Sequence, residues 1–390
     1  MRILNCFLDN RRCGATLRGR RVADHLRTNG IETVFVLNRK QAPDDLFDGY
    51  GHRMLRNLQL VRKESPIRSV LLFLLYAPYN LWILCRWIRR KQIDVVQTNG
   101  ILNVLPALAA RLTGRKVLWL LNDMSIPPVL VFFLRPLVRR WSWRIGLCAR
   151  KLGDHYFADD AVARRKFVLL VPPIESDQWR PEAVDPEPVR QVRSQFNLEG
   201  KSPVIAAIGN LNPAKGYEYF IEMAALLRRK IHSAVFVVAG SRLDSQKRYA
   251  QQIDRLIDRH GLRDSIRFLG YWRDVRIVLA VCDVFVLSSV REGNPTTVLE
   301  AMAMRRPVVA AEVGGVREQI EDGVSGVIVP PRNGEKLAEG VSRILAMSSP
   351  QRLAMTDAAR ARIEQTYDIR RVLQDYLRLF ETLSNPSVSG

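Results

Sequence analysis

Short apolar runs recur along the chain, and most are followed by a stretch in which apolar residues return every three or four positions. RILNCFL reads as a strand, and residues 16–28 (TLRGRRVADHLRT) read as a helix ended by Asn29-Gly30. ETVFVLN, DVVQTN, KVLWLL, HYFA and FVLLVP extend the series of strands. From residue 204 the pattern restarts with the strand VIAAIGN and a helix over residues 218–230. AVFVVAG, a helix through residues 253–259, IRFLG, DVFVLSS, a helix from Pro295, PVVAAEVGG and GVIVPP follow. Strands alternating with helices of about 10–15 residues predict parallel sheets joined by right-handed crossovers. Two such series in tandem predict an α/β protein of two doubly wound, Rossmann-like domains.

The break between the series is marked by Pro172, Pro173, Pro181, Pro186 and Pro188, where no apolar period survives. The expected organisation is a first domain over residues 1–172, a linker over 173–190 and a second domain over 191–365. A last helix, residues 366–385, would cross back to the first domain, and the tail NPSVSG would be disordered. The length of 390 residues suits two domains, and 47% apolar residues is a globular composition. The cysteines (6, 13, 85, 148 and 282) are scattered and odd in number, which points away from a disulfide framework or zinc site and toward a reducing compartment. The N-terminus lacks the apolar core and cleavage site of a signal peptide, so a cytoplasmic location is expected.

Charge changes this picture. The chain carries a formal net charge of +21. Residues 1–180 hold 31 Lys/Arg against 14 Asp/Glu, a net of +17, and the remainder holds 29 against 25, a net of +4. A basic first half could face nucleic acid, an anionic membrane or an anionic substrate. Residues 69–85 (SVLLFLLYAPYNLWILC) are almost without polarity. They read as a transmembrane helix interrupted by Pro78 and Asn80, a helix buried against the sheet, or one dipping into a single leaflet. Residues 129–151 mix Trp141, Trp143, Phe132 and Phe133 with Arg135, Arg139, Arg140, Arg144 and Arg150. That mixture suits a headgroup interface, or an amphipathic helix with solvated arginines. The coincidence of apolar segments and charge predicts peripheral attachment to the inner face of a membrane, with a lipid-linked acceptor.

The densest chemical signal is Glu292-Gly-Asn-Pro-Thr-Thr-Val-Leu-Glu300, after the strand DVFVLSS and at the start of a helix. Asn294 fits the N-cap and Pro295 the first helical position, which leaves the amides of Thr296 and Thr297 at the positive end of the helix. A diphosphate suits that end. Glu300 lies in the second turn, where a carboxylate can accept from two vicinal ribose hydroxyls. Glu292 precedes the helix, on the side where a sugar would lie. A second loop, Gly209-Asn-Leu-Asn-Pro-Ala-Lys215-Gly216, joins strand to helix; its glycines admit a phosphate and Lys215 brings a charge to it. Both loops fall at C-terminal strand ends, where open α/β sheets bind ligands.

With these motifs the chain resembles glycosyltransferase family 4, the retaining family with a GT-B fold of two domains facing each other across a cleft. Residues 266–293 resemble the family's lead into its E-x7-E motif, and residues 307–331 its next segment. Val171-Pro172-Pro173 resembles its hinge, and residues 10–14, with Gly14, stand in the place of its first glycine loop. The resemblance assigns Glu300 to the ribose, Glu292 to the donor sugar and Lys215 to the diphosphate, with Gly209, Gly293, Asn294, Thr296 and Thr297 around the donor. Two positions depart. Asn210 stands where the family has an arginine, and Asn122, before Asp123, stands where it has the histidine that contacts the donor sugar. The resemblance implies a nucleotide-diphosphate sugar as substrate, no cofactor and no metal. It also implies front-face displacement with closure over the donor, and Asp123 and Gly14 are the first-domain candidates for acceptor contact. Five scattered histidines and the lack of an Asp-x-Asp agree with the metal-free expectation.

Other classes remain open. A nucleic-acid binder would account for the charge, but no recognition module is present. A sugar-nucleotide epimerase shares the architecture, though no acid–base pair around a sugar can be assigned. A catalytically inactive homologue would fit Asn122 and Asn210.

Overall fold

The computed structural model describes residues 1–8, 14–38, 45–58, 66–124 and 126–384. They form two compact units: Met1–Pro173 with the segment from Arg370 onward, and Ile174–Ile369. Residues 10–13 of the first glycine loop (10–14) and the tail NPSVSG lie outside the described residues.

The first unit runs β1 (Arg2–Cys6), α1 (Gly14–Thr28), β2 (Glu32–Asn38), β3 (His52–Leu55), α2 (Pro66–Arg90), β4 (Val95–Asn99), α3 (Val104–Leu112) and β5 (Lys116–Leu121). It continues with α4 (Pro128–Trp141), β6 (Arg144–Leu147), α5 (Arg150–Phe157), α6 (Ala161–Arg164) and β7 (Phe167–Leu169). The seven strands pair in parallel in the order β3-β2-β1-β4-β5-β6-β7. Alternate residues of β2 serve opposite faces. Val34 and Val36 enter a large core with residues of α2, α3, α4 and α5, and Phe35 and Leu37 pack with Phe7, Phe47 and Tyr50. Both faces are covered, which is why these strands read as continuous apolar runs.

The second unit contains α7 (Pro186–Gln195), β8 (Val204–Ile208), α8 (Tyr217–Lys230), β9 (Val235–Ala239), α9 (Lys247–Arg259), β10 (Ile266–Gly270), α10 (Val275–Val281) and β11 (Val284–Leu287). Then come α11 (Thr296–Ala303), β12 (Val308–Ala311), α12 (Val316–Gln319), β13 (Val327–Val329), α13 (Gly334–Ala346) and α14 (Ser349–Arg362). Its parallel sheet has the order β10-β9-β8-β11-β12-β13. Helix ends follow the expected chemistry. Ser348 and Gln351 form a reciprocal capping box on α14, and α8 carries Glu218 in its first turn and Arg228, Arg229 and Lys230 in its last. A final helix, α15 (Ile369–Ser384), groups with the first unit from Arg370.

Several expectations change. HYFA is the end of α5, not a strand: Leu152, Tyr156 and Phe157 are buried at helical spacing, and their aromatic run imitates a strand. Residues 129–151 are not one amphipathic stretch but α4, the strand β6 and the start of α5. The stretch read as a linker, residues 173–190, holds a 3-10 turn at Pro181–Ala183 and the first turn of α7, whose N-cap is Asp185. Its prolines start helical turns at Pro181 and Pro186. Residues 69–85 lie in α2, and the reading as a buried helix fails: only 28% of its most apolar window is buried.

Candidate active site

In the second unit the glycine loop and the Glu292 loop are tied together. After β8 the chain passes Gly209 and Asn210, makes a 3-10 turn at Pro213–Lys215 and reaches Gly216, which is left-handed at φ 59°. A Cβ on Gly216 would stand 2.3 Å from the Ser288 carbonyl oxygen, so only glycine lets the two loops approach. The amides of Val290 and Arg291 donate to the Ala214 carbonyl at 2.9 and 3.3 Å, and Ser288 Oγ donates to the Lys215 carbonyl at 3.0 Å.

Lys215 Nζ then meets Glu292 Oε1 at 2.7 Å, and Ser289 Oγ donates to the same oxygen at 2.8 Å. Both charged side chains are mostly sequestered, 23% and 15% exposed. A pair so placed keeps its geometry but is costly to break by removing one partner. Beneath them Tyr217 donates to the Gly209 carbonyl at 2.5 Å. Burial, then the Glu292 charge, pushes its phenol well above the ordinary tyrosine range, so it stays a donor.

Helix α11 begins one residue later than expected. Pro295 is the N-cap at φ −69° and ψ 110°, so Asn294 stands before the cap and is not the cap residue. Instead Asn294 Oδ1 accepts a short hydrogen bond from Gln319 Nε2, which also donates to the Pro295 carbonyl at 3.1 Å. The amides of Thr296 and Thr297 therefore form the first turn. Thr297 Oγ1 is buried there without a hydrogen-bond partner. Glu300, in the second turn, is 7% exposed. Gly293 is buried, and its carbonyl accepts from the Gly315 amide at 2.8 Å. Gly314, left-handed at φ 53°, would place a Cβ 2.4 Å from that same carbonyl. The Gly-Gly pair after β12 is thus the support on which the Glu292 loop rests.

Asn210 plays a different part. Its Oδ1 accepts from the Ser241 amide at 2.9 Å and its carbonyl accepts from Asn212 Nδ2 at 3.0 Å. The side chain ties the loop to the end of β9 and is no substitute for a cation.

At the C-terminal edge of the first sheet the groups are amides. Gly14 is the first residue of α1. Asn122 and Asp123 follow β5, where Asn122 Oδ1 accepts from Arg18 Nη2 at 2.5 Å and Asn122 Nδ2 lies 3.4 Å from Asn99 Oδ1. Asn99 Nδ2 donates to Asn5 Oδ1 at 2.7 Å, and Asn103 Nδ2 donates to the Cys6 carbonyl at 2.8 Å. The Asp123 carbonyl accepts from Tyr156 at 2.7 Å. Burial lowers the pKa of His155, the residue before Tyr156 in α5, and the Asp123 carboxylate opposes that shift. Arg18, 5% exposed, was not singled out in the sequence, nor were Asn5, Asn99 and Ser289. One signal was available: four of the strands, β1, β2, β4 and β5, carry an asparagine at or beside their C-terminal end.

Comparison with known proteins bears on both units. Residues 189–362 match the model of the family described as "Glycosyl transferases group 1". The alpha-D-kanosaminyltransferase of Streptomyces kanamyceticus is 35% identical over 175 residues, 44% of this chain and 43% of that protein. The Campylobacter jejuni N,N'-diacetylbacillosaminyl-diphospho-undecaprenol alpha-1,3-N-acetylgalactosaminyltransferase is 27% identical over 208 residues, 53% of this chain and 52% of that protein. The chain thus spans about half, or less, of the length of these relatives. Over the whole chain the crystal structure of Anabaena Alr3699/HepE in complex with UDP-glucose superposes with a TM-score of 0.83 at 18% identity, covering 98% of this chain and 100% of that one. The fold is GT-B.

Proposed function

We propose that this chain, whose residues 189–362 form a group 1 glycosyl transferase domain, moves a hexose from a nucleotide-diphosphate sugar to a glycan or lipid-linked acceptor with retention at the anomeric carbon. The observation that carries the reading is the joined pair of loops in the second unit. Lys215 and Glu292 meet at 2.7 Å beside a helix whose first turn offers the amides of Thr296 and Thr297. The UDP-glucose bound by the structural neighbour supports a uridine donor. The acceptor named for the Campylobacter relative supports a lipid-linked one, in synthesis of an envelope polysaccharide or glycolipid.

In this reading Glu300 accepts from the ribose hydroxyls and Glu292 orients the donor sugar. Lys215 leaves its contact with Glu292 to meet the diphosphate. The acceptor hydroxyl attacks the anomeric carbon on the face that the diphosphate leaves. The C–O bond to the diphosphate breaks as the new glycosidic bond forms, and the departing phosphate oxygen takes the acceptor's proton. The protein's share is electrostatic: Lys215 and the end of α11 stabilise charge growing on the diphosphate. Asn122 and Asp123 are assigned to the sugar and acceptor side. No metal is required.

The test is incubation with a panel of UDP- and GDP-sugars in EDTA, following release of nucleoside diphosphate, with Lys215→Ala beside the wild type. Slow donor hydrolysis that persists in EDTA and falls roughly ten- to a hundredfold in the variant is expected, the span of a charge-assisted hydrogen bond. Isomerised donor would favour an epimerase. Folded protein with neither binding nor turnover would favour the inactive homologue. Activity lost in EDTA and restored by magnesium or manganese would overturn the metal-free step.

A further inference from the structure

Helices α2 and α4 each bury one stripe in the core of the first unit and leave the opposite stripe uncovered. On α2 the uncovered large apolar side chains are Ile67, Leu71, Leu74, Leu75, Tyr79 and Trp82, each more than half exposed, with exposed Arg68 in the first turn and exposed Arg86, Arg89 and Arg90 in the last two. On α4 they are Val129, Phe132 and Phe133, then exposed Arg139 and Arg140. Six exposed large apolar side chains on one helix are far beyond the scattered single ones of an ordinary surface. The one amide in the middle of α2 faces inward: Asn80 is 1% exposed and donates to the Arg56 carbonyl at 2.7 Å. Neither helix contains an Asp or Glu.

Apart from Arg68 in the first turn of α2, the two stripes are graded in the same sense, apolar first and cationic last. Both helices join parallel strands, α2 from β3 to β4 and α4 from β5 to β6, and these crossovers advance in one direction across the sheet. Right-handed crossovers then set both helices on one face, running the same way. The shared core with α3 agrees. Their apolar halves therefore lie together at the C-terminal edge of the sheet, the edge that carries Asn122 and Asp123, and their arginines lie together away from it. From Trp82 to Arg89, and from Phe133 to Arg140, the helical rise is roughly 10 Å. At the changeover Tyr79 and Trp82 stack at 6.5 Å, and the Arg86 guanidinium lies 5.8 Å from the Trp82 ring centre. Trp82, Cys85, Arg86, Arg89 and Arg90 line a pocket of about 520 Å³.

We propose that this face is a docking surface for an anionic lipid bilayer. The apolar halves of α2 and α4 enter one leaflet, Tyr79 and Trp82 sit at the headgroups, and Arg86, Arg89 and Arg90 hold lipid phosphates. An apolar end, an aromatic changeover and a cationic end in that order match the layers of a leaflet. A protein partner would not need the same order on both helices. Arg139 is shared with Asp160 at 3.6 Å, so the arginines of α2 carry most of the charge term. The inference does not rest on the transferase reading, because nucleotide-sugar binding and vesicle binding are measured separately.

Flotation of the full chain with phosphatidylcholine vesicles, with and without about 30% phosphatidylglycerol, tests it. The wild type should float with the anionic vesicles, stay behind with the neutral ones, and be released in part by high salt. The variant L71S/L75S/F132S/F133S, changed only at exposed positions and checked for folding by circular dichroism, should bind roughly tenfold or more weakly. Arg86→Gln with Arg89→Gln and Arg90→Gln should weaken binding about fivefold for each arginine removed. Wild type left at the bottom of the gradient with anionic vesicles at low salt overturns the proposal. So does either folded variant that floats like the wild type, or equal binding to neutral vesicles. A lipid-free dimer that becomes monomeric in the serine variant, without vesicle binding, would assign the face to a second copy instead.

Discussion

The two units end their parallel strands in loops that carry the candidate residues, but they hold those residues by different means. In the second unit the loops are fastened mainly through the backbone, at the carbonyls of Ala214 and Gly293, with Ser288 Oγ on the Lys215 carbonyl, and the groups they present are a charged pair and a helix end. In the first unit the edge is mainly a lattice of neutral amides, Asn5, Asn99, Asn103 and Asn122, joined by the buried guanidinium of Arg18, with the Asp123 carboxylate beside it. Backbone fastening needs particular residues at particular spacings, because only glycine fits at Gly216 and Gly314 and only a strand-to-helix turn presents free amides. A side-chain lattice can be built from many combinations. The difference accounts for why one half reads as a motif and the other does not.

If the second unit holds the donor through charge, the largest effect should come from Glu300. The variant Glu300→Gln keeps the shape and removes the carboxylate that would accept from two hydroxyls. A hydrogen bond to a charged group contributes about 1.5–3 kcal/mol. Nucleotide affinity measured by calorimetry should fall roughly ten- to a hundredfold while the unfolding temperature holds. Wild-type affinity in the folded variant would remove Glu300 from the site, and with it the contrast between charged and neutral edges.

A smaller effect, of a different kind, is expected at Gly314. Alanine there meets the Gly293 carbonyl at 2.4 Å in a left-handed backbone. Strain of this kind costs about 1–3 kcal/mol. Gly314→Ala should lower the thermal midpoint and also weaken nucleotide binding, because the loop that moves carries Glu292. Loss of stability with unchanged nucleotide affinity would mean that the Glu292 loop is not part of the donor site, and backbone fastening would then be structural alone.

These cases also show what could be read from residue order. The strands of both sheets were legible where burial on two faces made unbroken apolar runs, as in KVLWLL and AVFVVAG. Strands β3 and β6 were not, because they have four residues each and carry His52 with Arg53, and Arg144, so no run forms. The loops around Lys215 and Glu292 were legible because glycine, proline and charge recur at fixed spacing. The tie from Asn210 to Ser241, the support of Gly314 under Gly293, and the approach of Arg18 to Asn122 each join residues well apart in the chain. Nothing local marks them. Residues 69–85 were legible as apolar, but composition does not say which side of a helix meets the sheet; the inward turn of Asn80 does.

The smallest effect probes the neutral character of the first edge. His155 packs edge to face on Tyr156 at 4.8 Å, and burial lowers its pKa despite the nearby Asp123 carboxylate. The folded state therefore takes up the proton at lower pH than the unfolded chain, whose imidazole titrates near 6.5. Above that pH both states are neutral and the group adds no pH dependence. As the pH falls below it, the unfolded chain binds the proton first and the folded state loses relative stability, until the folded imidazole is protonated as well. The ring is open to solvent on one side, so screening keeps the effect small. Thermal midpoints of wild type and His155→Gln, measured in steps from pH 7.5 to about 5, should separate as the acid is approached, the variant losing less. Parallel curves would mean that His155 titrates as it does in the unfolded chain, and that its burial against Tyr156 places no cost on the charged ring.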